Sequence, residues 1–377
     1  GESTYDGNTT VNSGVFVVNG NLQGSTGVYT GAIVNEGTFR MNSLIDQTYS
    51  GAISGSGAFE KYNTNTVSWQ GNVSTTGDLT IYDGVLELAG DAEIPSGDLN
   101  IQLGSLIFNK TSAYSFDQYI NLNGTGATQK IFNNGDGLVS ILKEPTGAAD
   151  NIAVDNNEAF HVGGAGDMVI EKDIASGGNA STLTKEGTGT VYLLSTQNNF
   201  SGGTTIKDGI LQVGDGTSLG SIGTGMVTIE NGRIAFNRTQ PYTISETFAH
   251  FSSGNTPGIE NNGSGLLTLS TNIGLGFDLT GAELTLGGSG NGLVDGDISP
   301  GNAMPTLKKS GTGKWTWNGT DNNISNLEIQ EGTLEIIGTL GNFSTSTIAN
   351  YTKDILINGV LLLNESKDQD LAGLISG

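Results

Sequence analysis

Gly84-Val85-Leu86-Glu87-Leu88 returns as Gly209-Ile210-Leu211-Gln212-Val213 and again as Gly332-Thr333-Leu334-Glu335-Ile336, at spacings of 125 and 123 residues. Gly104, Gly232 and Gly359 head a second triple, each with apolar residues two and four positions on and Asn five on, at Asn109, Asn237 and Asn364. Asn133-Asn134-Gly135-Asp136-Gly137-Leu138 returns as Asn261-Asn262-Gly263-Ser264-Gly265-Leu266. Phe160-His161-Val162-Gly163-Gly164 returns as Leu284-Thr285-Leu286-Gly287-Gly288. A single globular core gives no reason for a chain to repeat in register over such distances. A stacked solenoid does, because each unit buries its apolar face only against its neighbours.

The local period is two. Val15-Phe16-Val17-Val18, Leu79-Thr80-Ile81, Val227-Thr228-Ile229, Leu267-Thr268-Leu269 and Leu327-Glu328-Ile329 read as short strands with alternating faces. They are separated by turn dipeptides such as Asp83-Gly84, Asp208-Gly209, Asn231-Gly232 and Asn358-Gly359. No helical period of useful length is present. Hairpins would make neighbouring strands complementary rather than near-identical at long range, and a propeller would show one blade motif every 40–50 residues. The expected fold is all-β, a right-handed parallel β-helix with three super-repeats of about 125 residues. Their boundaries fall near 36–158, 159–282 and 283–377, the last incomplete, with lead-in coils at 1–35, all in one β-helical domain.

Sixty glycines, six prolines and no cysteine in 377 residues suit a chain rich in turns and exclude both a disulfide scaffold and a thiolate metal site. A hydrophobic share of 35% is enough for a core. The net charge of −23 makes nucleic acid a poor partner, since binding it relies on Lys and Arg displacing counterions. Anionic membrane surfaces are disfavoured in the same way. No apolar run approaches the roughly 18 residues of a membrane span, so no direct membrane insertion by this stretch is expected. Leu371–Gly377 echoes Tyr49–Gly55 and then stops, so the sequence reads as a piece of a longer protein.

Leu183-Thr184-Lys185-Glu186-Gly187-Thr188-Gly189-Thr190-Val191-Tyr192-Leu193 leads into Asn198-Asn199-Phe200-Ser201-Gly202-Gly203-Thr204-Thr205-Ile206 and then Gly209-Ile210-Leu211. This run resembles the passenger-associated repeat of bacterial autotransporters, of the AIDA type. A second copy runs from Leu307-Lys308-Lys309-Ser310-Gly311-Thr312-Gly313 through Trp315, Trp317 and Asn322-Asn323-Ile324 to Gly332-Thr333-Leu334. It departs from the pattern in carrying Ser325-Asn326 in place of the Gly-Gly-Thr turn. A more degraded third copy lies near Ile53–Leu88. The resemblance implies a secreted or surface-held passenger of a Gram-negative bacterium, exported through a C-terminal β-barrel translocator in the full-length protein. The motif's own chemistry agrees: Leu183, Val191, Leu193, Ile206 and Leu211 are expected inward, and the Gly-Gly and Gly-x-Gly steps at corners needing positive φ. Asn198 and Asn199 are expected to bond their own backbone or to stack in a ladder.

Residues for chemistry are few. His161 and His250 are the only histidines, and His161 stands where the next repeat has Thr285, so it reads as a surface or turn residue. Gly163-Gly164-Ala165-Gly166-Asp167 half-matches a calcium-binding nonapeptide, but its counterpart Gly287-Gly288-Ser289-Gly290-Asn291 lacks the Asp. Asp295-Gly296-Asp297 and Gly214-Asp215-Gly216 are oxygen-rich turns suited to a hard cation or simply to solvent. Asn-x-Ser/Thr at Asn8, Asn72, Asn109, Asn318, Asn342 and Asn350 is expected by composition alone. Trp69, Trp315 and Trp317 recur at the motif's large apolar position; one of the last pair is expected inward, leaving the other free to stack on a sugar.

No catalytic residue, cofactor or particular metal or binding residue is assigned. The expected function is a non-enzymatic cell-surface adhesin or self-association module of a type V secreted autotransporter. It would act through polar faces of a β-helical rod on a second copy or on a host-surface or glycan ligand. The alternatives are a structural stalk that displays another domain, a β-helical polysaccharide-degrading enzyme, and a toxin passenger, since a fold does not fix function.

Overall fold

The structure, a computed structural model, describes residues 5–22, 27–124, 128–144, 151–155, 157–177, 180–249, 257–274, 283–299, 306–320, 322, 324–340, 349–364 and 369–377. Among them there is no helix, and the strand pairings are parallel. The chain forms two compact units, Gly1–Val191 with Gln197–Gly202 and Tyr192–Thr196 with Gly203–Gly377. Each is a β-solenoid whose coils contribute up to three short strands, one to each of three sheets.

In the first unit, one coil consists of Ile53–Gly55, Ala58–Lys61 and Thr66–Trp69, and the next of Val73–Thr75, Leu79–Ile81 and Val85–Ala89. They stack in register, with Val73 on Ile53, Leu79 on Phe59 and Leu86 on Val67. The second unit repeats the plan with Gly258–Asn261, Leu267–Leu269 and Ile273–Gly274 under Glu283–Gly287, Gly292–Val294 and Ile298–Ser299. Strands such as Leu79–Ile81, Leu99–Ile101 and Val227–Ile229 bury their first and third residues and leave the outward middle one half-buried, as a period of two requires. Parallel register then places aliphatic side chains in columns, for example Leu79, Leu99, Ile120 and Ile152, although the intervening coils differ in length.

Leu86, Leu211 and Leu334 are all fully buried, as are Leu183, Val191, Leu193 and Ile206. The repeats nevertheless do not return to equivalent coil positions. In the second unit, Leu211 pairs through Ile234, Ile259, Leu286 and Lys309 to Ile329, five coils on. Leu334 lies on the strand after that one, in the adjacent sheet. In the first unit, Lys61 and Lys185 stand in the same relation: five coils separate Ala58–Lys61 from Asp173–Ser176, and Lys185 is on the following strand, Thr182–Glu186. Within each unit, these two positions of the motif therefore lie five coils and one further strand apart, and fall in different sheets.

Trp315 and Trp317 also depart from expectation. Both are 0% exposed, because residues two apart on a strand share one face. Neither offers a platform to a sugar, and Trp69 is buried as well. Asn198 and Asn199 tie their coil to the one before it. Their side-chain oxygens accept the N–H groups of Ile174 at 2.8 Å and Ser176 at 2.7 Å on the preceding coil.

Candidate functional site

The repeated polar residues are corner devices. Lys61 and Lys309 occupy inward positions in otherwise apolar columns, Lys61 between Met41 and Ile81 and Lys309 between Leu286 and Ile329. Each side chain curls to the next corner. The Lys61 ammonium donates to the carbonyls of Tyr62 at 2.8 Å, Asn63 at 2.7 Å and Asp83 at 3.1 Å, and to Asn65 Oδ1 at 3.0 Å. Lys309 donates to Ser310, Gly311 and Glu331 carbonyls, and Lys185 to those of Glu186 and Gly187. Burial pushes the Lys61 ammonium down to about 8 against the charges of Asp83 and Asp46, and Lys309 to about 8 against Glu331. Corner carbonyls thus receive a charged donor, which is the physical reason for the lysine in the motif.

Asn133 and Asn261 do the same work at the recurring Asn-Asn-Gly-x-Gly-Leu corner. Asn133 Nδ2 donates to Gly137 O and Asp167 O while its Oδ1 accepts from Gly135 N–H. Asn261 matches it with Gly265 O, Asn291 O and Gly263 N–H. Both amides are buried and their donors and acceptors are used, so the longest sequence repeats are accounted for by backbone satisfaction.

The other residues singled out in the sequence fall into place singly. His161 projects outward and its Nδ1 lies 2.8 Å from Glu186 Oε1, while Lys130 approaches the other oxygen at 3.4 Å. His250 lies outside the described residues. Asp167 Oδ1 accepts Thr190 N–H at 2.7 Å, and the glycines before it, Gly163 and Gly164, adopt φ of 142° and 113°. Asp215 Oδ1 gathers Thr217 N–H, Thr217 Oγ1 and Ser218 N–H. Partial burial opposes ionisation there, yet these donors hold the carboxyl below its usual range. Asp295 accepts from Asn318 Nδ2, and Asp297 from Thr320 N–H. The oxygen-rich turns spend acceptors within their own turn at Asp215 and on the neighbouring coil at Asp295 and Asp297, and among the described residues no group of three or more His, Asp or Glu side chains gathers to hold a metal.

One site has no counterpart in the sequence repeats. In the first unit, the sheet that begins with Thr9–Val11, Ile33–Asn35, Ile53–Gly55 and Val73–Thr75 stops, and strand pairing resumes at Tyr114–Phe116 with Val139–Ile141. The coil between them, Glu93-Ile94-Pro95-Ser96, forms no strand. Pro95 has no N–H to give a ladder, and Ile94 N–H turns to the Tyr114 hydroxyl at 2.8 Å. Ser96 keeps a hold on the strand below, its N–H and its hydroxyl donating to Thr75 O at 2.9 and 3.3 Å.

The interruption leaves a groove of about 660 Å³. Val73, Ile94 and Phe116 supply apolar floor, and Asn72, Ser74, Glu93, Ser115 and Asp117 supply polar walls. Thr75, only 4% exposed, and Gln118 also line it, and Thr75 Oγ1 and Gln118 Oε1 are buried without a hydrogen-bond partner. Burial pushes the Tyr114 hydroxyl up to about 12, and the charges of Glu93 and Asp117 add to the effect. The proline among strand residues was the sequence's only sign of this site.

Three segments, 1–18, 183–213 and 307–336, match the passenger-associated transport repeat family model. Two of them are the copies read in the sequence; the degraded copy near Ile53–Leu88 is not among the matched segments. A relative from Brucella suis biovar 1 (strain 1330), described as the adhesin BmaC autotransporter, is 33% identical over 135 residues. That alignment covers 33% of this chain but 4% of the relative, so the chain spans a small part of that protein's length. No solved structure matches the chain. Repeats of this family, on a parallel β-solenoid whose corners the motif's lysine satisfies, support an autotransporter passenger domain.

Proposed function

We propose that this chain is a non-enzymatic part of an adhesin displayed at the surface of a Gram-negative bacterium, and that it acts by side-by-side contact of polar solenoid faces. A C-terminal β-barrel elsewhere in the full-length protein would carry it outward. The observation that carries the reading is the set of outward ladders. Side chains on neighbouring coils pair as Arg40 with Glu60 at 2.6 Å, Arg233 with Glu260 at 3.0 Å, Lys308 with Glu283 at 2.8 Å and Lys314 with Glu335 at 2.6 Å. These cations serve pairs within the solenoid, so the acidic surplus faces outward on a surface also rich in Asn, Thr and Ser. The relative's description as an adhesin supports the same reading.

Like-charged solenoids repel at long range, so contact rests on short-range polar complementarity after screening. Cells displaying the passenger through its translocator should settle faster than cells displaying none, and more so from low to moderate salt. Equal settling across salt and calcium conditions would replace adhesion by a stalk role.

A further inference from the structure

We propose that the groove at the sheet break, walled by Glu93, Asp117 and Gln118 and floored by Val73, Ile94 and Phe116, binds an uncharged oligosaccharide. The adhesin reading supplies only the ligand's source, a cell-surface glycan; the site stands on its own geometry.

Three features point to this class of ligand. First, the groove is amphipathic in the way a sugar ring is. An apolar floor fits the C–H face of a pyranose, while carboxylate, amide and hydroxyl groups around it match equatorial hydroxyls. Second, Thr75 Oγ1 and Gln118 Oε1 are buried and unpartnered. A buried polar atom without a partner costs on the order of 1–3 kcal/mol, and a sugar hydroxyl that donates to either oxygen recovers that loss. Third, the electrostatics select against acidic sugars. Glu93 and Asp117 stand in the groove of a chain carrying −23, so a sialylated or uronic ligand meets like charge. Carboxylates accept strong hydrogen bonds from neutral hydroxyls, which makes them an asset for an uncharged glycan.

The groove is also built rather than incidental. Pro95 removes the ladder donor, and Tyr114 diverts the Ile94 N–H, so the strand that would fill this place on the sheet is absent for identifiable reasons. Tyr114 is further held by stacking on Phe116 at 5.9 Å between ring centroids and by Lys110 over its ring at 4.8 Å.

The test uses the full 377-residue chain against immobilised neutral and sialylated oligosaccharides, followed by calorimetry with whichever glycan is retained. Neutral glycans should bind, and their sialylated forms should bind at least about tenfold more weakly. Asp117→Asn, Glu93→Gln and the near-isosteric Thr75→Val should each weaken binding by about tenfold, the value of one hydrogen bond to a charged or buried group. Unchanged thermal unfolding would show that these variants fold, and Asp295→Asn, on the second unit, should bind as the parent does. Retention of no neutral glycan, equal retention of sialylated forms, or binding indifferent to the groove variants would each overturn the proposal. Cell settling separates this failure from the other: settling without glycan retention sinks the groove and leaves the adhesin reading standing.

Discussion

Gly292 and Trp315 are register partners on adjacent coils, and the glycine leaves the space that the indole occupies. A Cβ on Gly292 would lie 2.4 Å from Trp315 Cε3, and the glycine's φ is not in the left-handed region, so the requirement is purely steric. Gly292→Ala should therefore cost about 1–3 kcal/mol as an overpacked core. Denaturant unfolding measures this; a variant as stable as the parent would mean the ring yields freely.

The two inward indoles are unequal. Trp315 Nε1 donates to Gly287 O at 2.9 Å, whereas Trp317 Nε1 is buried without a partner. Trp315→Phe and Trp317→Phe remove the same volume, but only the first loses a hydrogen bond and orphans a carbonyl. Trp315→Phe should be the costlier by roughly 1–2 kcal/mol. Since all three tryptophans are buried, iodide should quench their emission weakly, and added oligosaccharide should leave it unchanged.

Replacing a corner lysine should expose what it does. Lys309→Met fits the column between Leu286 and Ile329 but leaves the carbonyls of Ser310, Gly311 and Glu331 without their donor. A loss of roughly 2 kcal/mol or more is expected, because orphaned acceptors outweigh the added apolar contact. Stability at or above that of the parent, by the denaturant midpoint at pH 7, would refute this role.

The same lysines set an alkaline signature. Burial lowers Lys61 and Lys309 from 10.5 to about 8, so between about pH 8 and 10.5 the unfolded chain holds protons that the folded chain has released. Stability should rise with pH across that window, with the penalty fully present below 8. Tyr62 and Tyr114, raised by burial from 10.0 to about 12, act oppositely above pH 10, where the unfolded phenols ionise first. The unfolding midpoint should thus climb from pH 8, crest near 10 and fall beyond it. Lys61→Met and Lys309→Met should each flatten the climb.

Leu86, Leu211 and Leu334, each 0% exposed, should tolerate truncation equally badly although they lie on different faces. Leu→Ala at any of them should cost roughly 2–5 kcal/mol, read by calorimetry or denaturant. A mild effect at one alone would show that its coil collapses around the gap.

The sequence by itself determined the strands, their parallel stacking and the inward set. Alternation of period two settles which side of a strand is apolar, and near-identical units at long range exclude hairpin pairing. The tryptophan pair departs from the expectation of one inward and one outward ring because residues two apart on a strand share a face, so Trp315 and Trp317 must point the same way. Tertiary structure alone decided the rest. Which face a repeat builds depends on how many residues each intervening coil consumes, and the five coils and one face between Leu211 and Leu334 are a sum of corner lengths that no local motif encodes. The groove is decided in the same way. Pro95 announces a missing ladder donor, but only stacking on Thr75 below and Tyr114 above turns that local defect into a lined cavity, because strand partners here are contributed by residues some 20 positions apart.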